Sequence, residues 1–575
     1  MTRQKNENKP ADPKSREKIL LAMLPYWTAL VPPQGIAHLK TFLQRHHYSV
    51  KTKDANTADE FKKYYSEYFD LLKEYIPANK QGNFYNIGHD VLRNHMMAHI
   101  HYKNKKEYIE LVKVIVYQTY FTPFKDSQVE RLNKILENFY TELEIYMSAL
   151  VEKEKPGWLG LSVLRDTIGP SLFAFRLVRE KFPHIRTIMG GSIFSDHLLP
   201  GSPNFEDFLK RTPYIDKIII GEGQNLFLKL LEEELPPSQR VFTLKDIGGQ
   251  TLGFSAANCP DMSDFNVVQD YPYLSAQASA SCPNRCSFCN VPSFYGKYRE
   301  KDPKQAVQEM IKLYETYGMQ VFYMNDALLN LVASPLSEEF IESGVSLYWD
   351  GYLRVGDPVC DMENTFLWRR GGMYRVRLGV ESGSQHVLDL IGKGITPDQT
   401  AASLQSLANA GIKTTTYWVI GHPGETEADF LLTLEKLAEW KNYIYEAECN
   451  PFIFGYTGQS SSSAWENKRK LLYPQGAEEM LLLRTWIVAA EPSREEVYSR
   501  VNRFVGRCKE LGIPNPYSQL DIYEADKRWK MLHKNAVPAL AEFRDEGAYI
   551  DDTKQVKNLY FLKNPLQEDE GDFDF

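Results

Sequence analysis

Three thiols crowd one short run, Ser281-Cys-Pro-Asn-Arg-Cys-Ser-Phe-Cys-Asn290, at Cys282, Cys286 and Cys289. The spacing is C-x3-C-x2-C. A closed iron–sulfur site takes four cysteine ligands, so three thiolates on one loop hold three irons of a [4Fe–4S] cluster and leave the fourth open to bind a reactant. Structural zinc calls for four ligands in paired C-x2–4-C groups, and no second pair follows. The remaining four of the seven cysteines, Cys259, Cys360, Cys449 and Cys508, are scattered. They read as small buried hydrophobes, with Cys449 singled out because it falls on an expected strand end. Sparse, unpaired cysteines predict a reducing, cytoplasmic setting.

The elements that must hold this triad follow from the pattern between residues 271 and 458. Strands are expected at Leu274–Ser279, Met319–Asn325, Ser346–Tyr352, Tyr374–Val380, Lys413–Ile420 and Ala447–Phe454, with helices between them, for example at Lys304–Tyr317 and Pro397–Ala410. Strands alternating with helices of this length predict a parallel barrel, and six units make a partial (βα)6, TIM-like one. The reactive edge of such a barrel is the carboxyl end of its strands. The cysteine loop follows the first strand. Asn325 and Asp326 then end the second, Arg354 follows the third, and Glu381 and Ser382 end the fourth. Gly421, His422 and Pro423 end the fifth, and Cys449 and Asn450 lie on the sixth.

Upstream, the apolar run Ile19–Leu24, a helix from Pro32-Pro33-Gln-Gly35 to Arg45, and a strand at Ser49–Asp54 predict β-α-β and a parallel sheet. Residues 58–152 read as a helical insertion packed on that sheet, its aromatic stripes being core. The sheet resumes with strands at Trp158–Val163, Thr187–Met189 and Ile215–Ile220 and helices at Ile168–Phe182 and after Gly223. Gly190-Gly191 and Gly221-Glu222-Gly223 close two of these strands, at the edge where open α/β sheets bind ligands. The expected organisation is a disordered 1–17, an α/β domain over 18–235, a linker over 236–270, the partial barrel over 271–458, and a helical region over 459–575. Within that last region helices are expected at Ala477–Ala489 and Ser493–Leu511, before an acidic tail at Glu568–Asp574.

The triad, Phe288 beside its third cysteine, Gly379-Val-Glu-Ser-Gly383, Leu388 through Lys393-Gly394, and Gly421-His-Pro-Gly-Glu-Thr426 resemble the radical S-adenosylmethionine (SAM) superfamily, from about Tyr273 to Gly458. Pro33-x-Gly35-Ile36, Gly160-Leu-Ser-Val163, Gly190-Gly191 and Gly221-Glu222-Gly223 are similar to the Rossmann-like cobalamin-binding domain that precedes the barrel in one large subgroup. The resemblance implies SAM chelated by the open iron and cleaved to a 5′-deoxyadenosyl radical. Glu381 and Ser382 would then contact the ribose or methionyl part and Arg354 the carboxylate. Phe288 would lie near adenine, with Gly421 at the SAM edge and Asp326 facing SAM or substrate. His422 is either a substrate contact or a turn residue. It also implies cobalamin contacts at Ser162, Leu164, Arg165, Gly190, Gly191, Gly221, Glu222 and Gly223. No D-x-H-x-x-G motif occurs, and His38, His46, His47 and His197 lack its spacing. Cobalamin without a histidine lower ligand is therefore expected, its lower face meeting Leu164-Arg165-Asp166-Thr167.

This family implies C-methylation of an unactivated carbon through methylcobalamin, on a natural-product, peptide or carrier-bound substrate, with an electron donor such as flavodoxin or ferredoxin. A non-methylating cyclisation, rearrangement or epimerisation, and a corrinoid or iron–sulfur sensory module without SAM turnover, remain the alternatives. Bulk properties narrow the field. A chain of 575 residues exceeds one ordinary core. With 43% hydrophobic and 25% charged residues it has the composition of a globular protein. The net charge of −8 and pI near 5.9 predict no nucleic-acid partner, and no apolar run predicts a membrane span.

Overall fold

The computed structural model describes residues 17–195, 197–252, 259–455, 463–515 and 519–533. Two six-stranded parallel sheets organise them. The first contains β1 (Ile19–Met23), β2 (Val50–Asp54), β3 (Trp158–Ser162), β4 (Arg186–Gly190), β5 (Lys217–Ile220) and β6 (Val241–Thr243), in the order β2-β1-β3-β4-β5-β6. The sequence Ile-Leu-Leu-Ala-Met makes β1 apolar on both faces, which suits a central strand, whereas Val-Lys-Thr-Lys-Asp alternates buried and exposed at the edge. Helices α1 (Gln34–Arg45), α6 (Ile168–Lys181), α7 (Pro203–Arg211) and α8 (Gly223–Leu231) complete this layer. Strand order reverses between β1 and β3, so the carboxyl ends of those two strands open a crevice at the switch point.

The insertion folds as α2 (Asp59–Tyr75), α3 (Phe84–His101), α4 (Lys105–Tyr120) and α5 (Asp126–Glu154). Its buried Tyr68, Phe69, Phe139 and Tyr140 join Leu161 and Phe175 of the first sheet layer in one core. The boundary after it needs correction. The segment 236–270, expected to be a linker, contributes β6, which pairs Ile218–Ile220 of β5 with Val241–Thr243. A three-residue edge strand among prolines carries too little alternation to be seen in the sequence.

The second sheet runs β7 (Leu274–Ala276), β10 (Val321–Met324), β11 (Tyr348–Arg354), β12 (Met373–Glu381), β13 (Lys413–Ile420) and β14 (Glu446–Pro451), each parallel to the next; the short pair β8 (Ser279–Ala280) and β9 (Arg299–Glu300) frames the cysteine loop. This is the expected open six-strand barrel. Trp349, Val376, Leu378, Trp418 and Ala447 face its helix layer, and the alternate residues face the interior. A helix at Arg494–Glu510 packs on β13 and β14. Another at Gln519–Leu532 covers the barrel floor, where buried Lys413 pairs with Asp526 at 2.8 Å.

The expected helix over 477–489 is a second correction. Residues there form an antiparallel hairpin, β15 (Arg469–Leu471) with β16 (Trp486–Val488), and only Glu478–Leu481 is helical. The local sequence is compatible with either state; packing of Tyr473, Leu481 and Leu482 against the insertion core decides it. Residues 1–16 and the acidic tail lie outside the described residues. Among the described residues no helix is long and apolar enough to cross a membrane.

Candidate functional site

The carboxyl ends of both sheets face one cleft. The β1–α1 loop reaches the barrel through Leu30, whose carbonyl accepts from Tyr273 N at 3.2 Å, and through Gln34, whose side chain contacts Ser275 and Asn325. The insertion reaches it from the other side. Buried Asn83 donates from Nδ2 to the Cys449 carbonyl at 2.6 Å, and Asn86 hydrogen-bonds Asn450, so α3 covers the open edge of β14. A cavity of about 180 Å³ lies in the cleft, lined among others by Gln34, His38, Glu222, Gln224, Lys301 and Glu309.

On the barrel side the cysteine loop is held from several directions. Ser281, at φ 73°, turns the chain into it, and its hydroxyl donates to the Gly296 carbonyl at 2.6 Å. Ser287 N donates to the Ile391 carbonyl at 2.8 Å. Cys286 is buried against Val387 and Ile391, with Phe288 and Cys289 beside it. All three thiols are free of disulfides. Burial pushes the Cys289 thiol up, and neighbouring Cys286 and Cys282 push it further. Cations bound at the loop would reverse both effects, since a coordinating thiol is deprotonated. Among the described residues no three His, Cys, Asp or Glu side chains converge as ligands of one metal ion. A multi-iron cluster asks for a different arrangement, with one thiolate for each iron, and three neighbouring free thiols on one loop fit it.

The strand ends around this loop divide into two groups. Arg354 faces the cysteines, and Glu381 pairs with Lys393, whose charge reaches Cys289. Arg354 Nη1 lies 4.0 Å from Cys286 Sγ. Glu381 sits at φ 66°, uncommon for a side-chain-bearing residue, and buried Lys393 pairs with it at 2.6 Å. Other expected cofactor contacts have protein partners. Buried Asp326 accepts from Ala278 N at 3.1 Å, from Ser279 N, and from the Ser279 hydroxyl at 2.6 Å, so it clamps the backbone that leads into the cysteine loop. Burial holds its carboxyl up at about 6. Buried Ser382 bonds the Thr433 hydroxyl at 3.1 Å and accepts from Ser384 N. Gly421, expected beside SAM, meets the C-terminal helix: a Cβ there would lie 2.2 Å from Val497. Cys449 turns away from the barrel interior and is fully buried in the helix-side core.

His422 is more than a turn residue. Its Nδ1 lies 3.0 Å from the Pro423 carbonyl, which only accepts, so Nε2 accepts the Ser287 hydroxyl at 2.8 Å. Burial lowers its pKa to about 4, which keeps the ring neutral and this pairing intact near pH 7. His422 thus ties β13 to the middle of the cysteine loop. Glu425 of the same turn accepts from Gly421 N at 2.8 Å and from buried Arg500 at 2.9 Å, fixing the turn to the C-terminal helix.

On the N-terminal side, Ser162 and Gly190 pair at the carboxyl ends of β3 and β4. Leu164 N donates to the Thr167 hydroxyl at 3.0 Å, closing the loop around Arg165. Arg165 forms an ion pair with Asp90 of α3, and Arg93 pairs with Asp90 at 2.9 Å and Asp166 at 3.3 Å. The insertion therefore sets the charge at the switch-point crevice, which the sequence reading did not foresee. Gly191 is required at φ 112° because a Cβ would stand 2.4 Å from the Val163 carbonyl oxygen. Gly190 and Gly221 leave only ordinary contacts to Ile219 and Leu244, and Gly223 opens α8. Glu222 faces the cleft, 4.0 Å from Arg299.

Residues 278–437 match the Radical SAM superfamily family model. Among curated relatives, the anaerobic magnesium-protoporphyrin IX monomethyl ester cyclase of Synechocystis sp. is 24% identical over 282 residues, which is 45% of this chain and 54% of the cyclase. The chain spans about half the length of the curated relatives it matches first. Two solved structures share the fold. TsrM, a radical SAM methyltransferase from Kitasatospora setae with cobalamin and a [4Fe–4S] cluster bound, aligns at TM-score 0.57 and 12% identity over 90% of this chain and 98% of its own. OxsB, a cobalamin-dependent SAM radical enzyme with aqua-cobalamin bound, aligns at 0.50 and 14% over 82% of this chain and 57% of its own. Residues 278–437 thus carry a Radical SAM domain with its three-cysteine loop, and the two-sheet architecture of the chain has the fold seen in these two cobalamin-dependent enzymes.

Proposed function

We propose that this chain is a cobalamin-dependent radical SAM C-methyltransferase acting on an unactivated carbon of a natural-product or peptide substrate. The observation that carries the reading is a three-cysteine loop at the carboxyl end of one parallel sheet, with that sheet's first strand contacted by the β1–α1 loop of a second parallel sheet. When bound, the cluster and SAM supply a hydrogen-abstracting radical and a methylated corrinoid supplies the methyl group.

The chain's own residues then have distinct tasks. Cys282, Cys286 and Cys289 hold the irons. Arg354 offsets the negative charge of the thiolates and meets the carboxylate of SAM. Glu381, neutralised by Lys393, accepts from the ribose hydroxyls, and Phe288 shields the adenine side. Asp326 and His422 act at one remove by fixing the cysteine loop. Ser162, Leu164 and Arg165 would line the crevice for the corrin, and α3 closes the cleft against water. Cyclisation is the second reading, favoured by the alignment with the magnesium-protoporphyrin cyclase.

The test is anaerobic reconstitution with iron, sulfide and hydroxocobalamin, then visible spectroscopy and product analysis with reductant and SAM. Methyl transfer predicts both 5′-deoxyadenosine and S-adenosylhomocysteine and a product heavier by one CH2. A product formed without S-adenosylhomocysteine favours cyclisation. Absence of SAM cleavage by cluster-loaded protein sinks both.

A further inference from the structure

The barrel interior is unusually charged, and its charges are almost all matched. Along the inward faces of β11 to β14, Asp350 pairs with Arg377 at 2.8 Å, Glu446 with Arg375 at 2.6 Å, and Glu381 with Lys393 at 2.6 Å. A buried carboxylate needs such a partner, because desolvation is otherwise not recovered. Glu448 breaks the pattern. It alternates with Glu446 and Asn450 on the inward face of β14 and is half-buried at the mouth. Its hydrogen-bond donors are both neutral, Asn450, whose Nδ2 lies 3.3 Å from Oε1, and the Tyr417 hydroxyl opposite on β13. Among the described residues no Lys or Arg is within ion-pair distance of it.

Glu448 is also well placed. Register puts Arg354, Gly379, Tyr417 and Glu448 in one row across four strands. Arg354 marks the cysteine end of that row. Glu448 lies three strand spacings away, about 14 Å along the sheet, and the Glu381–Lys393 pair packs over Gly379 between them. Asn86 of α3 hydrogen-bonds Asn450 and so fixes the amide that holds Glu448. A carboxylate oriented in this way by a tyrosine and an amide, its neighbouring Arg375 already paired with Glu446, is a receptor for a positively charged group.

The geometry points to Glu448 as a specificity-determining residue that pairs with a protonated amine of the substrate, opposite the cysteine end of the mouth. This deepens the proposed function and rests on its assignment of the barrel mouth as the reaction site. Burial pushes the Glu448 carboxyl up, and an ammonium group settling against it would draw it back down.

The test measures binding of phenethylammonium and of its neutral counterpart 2-phenylethanol by saturation-transfer NMR, using protein loaded with cluster and SAM. Wild type is expected to bind the ammonium at least tenfold tighter than the alcohol. Glu448→Gln is expected to lose that preference and Glu448→Asp to keep most of it, with iron content equal in all three as the check on folding. Equal binding of the two probes by wild type, no detectable binding of the ammonium, or an undiminished preference in Glu448→Gln would overturn the inference. Wild-type protein that takes up no iron would instead sink the proposed function, and the ammonium preference could still be read on it.

Discussion

In the barrel, strand ends carry polar groups at the mouth, and buried ion pairs beneath them hold those groups still. Arg377 lies between Tyr323 and Tyr352, 3.7 and 4.3 Å from their ring centres, and is tied to Asp350. In the N-terminal sheet the strand ends supply mainly room. Gly191 lets two loops meet at van der Waals distance, and the charges at the crevice come from α3 of the insertion and from Arg165 and Asp166. One half thus carries its charged groups on its own strands, while the other borrows part of them from the helical insertion. The barrel half should therefore be intolerant of change, and the crevice half tunable.

The largest effect is expected at the thiols. Cys286→Ala should reduce bound iron and 5′-deoxyadenosine formation to the limit of detection while leaving cobalamin retention near wild type; loss of both together would mean the halves are not separable. Next, Arg377→Ala strands Asp350 in the barrel interior and should cost about 3–5 kcal/mol in urea unfolding. A cost below about 1 kcal/mol would show that the interior charges are hydrated and not matched by one another.

Asp326 gives a pH-dependent contrast. Its carboxyl is held at about 6, above the ordinary 3.8, so the folded chain keeps a proton that the unfolded chain releases. That contribution is fully present below about pH 4 and is lost as pH rises through 6. Relative to Asp326→Asn, wild-type stability should fall by about 3 kcal/mol across that window, measured as the difference between paired denaturation curves. A flat difference would mean that the three donors, not burial, set the carboxyl.

Smaller effects are expected across the cleft. Arg165→Ala should weaken cobalamin retention about tenfold, roughly 1.4 kcal/mol, with SAM cleavage unchanged. Asn83→Ala removes the bond from the insertion to the Cys449 carbonyl and should cost about 1 kcal/mol, read from a shift in the unfolding midpoint.

The cysteine loop, the six βα units and the insertion were legible because each is written locally, in ligand spacing or in strand and helix periodicity. Residues whose partners are remote were not. Gly421 is shaped by Val497 of the helix at Arg494–Glu510, and Ser382 by Thr433 of the helix at Glu427–Trp440. The Arg165 loop is organised by Asp90, far away in sequence. Glu448 was visible in principle, since Glu446-x-Glu448-x-Asn450 places polar residues at every second position of a strand whose other face is apolar. The hairpin near 469–488 was lost because short segments take their state from the surface they pack on.

The most direct test of a three-thiolate cluster at the barrel mouth is the iron and sulfide content of anaerobically prepared protein, with electron paramagnetic resonance of the reduced form before and after SAM. On the order of four irons per chain, and a spectrum that changes when SAM is added, are the predicted results. Protein that holds zinc or no iron at these cysteines, or a cluster whose spectrum is indifferent to SAM, would contradict it.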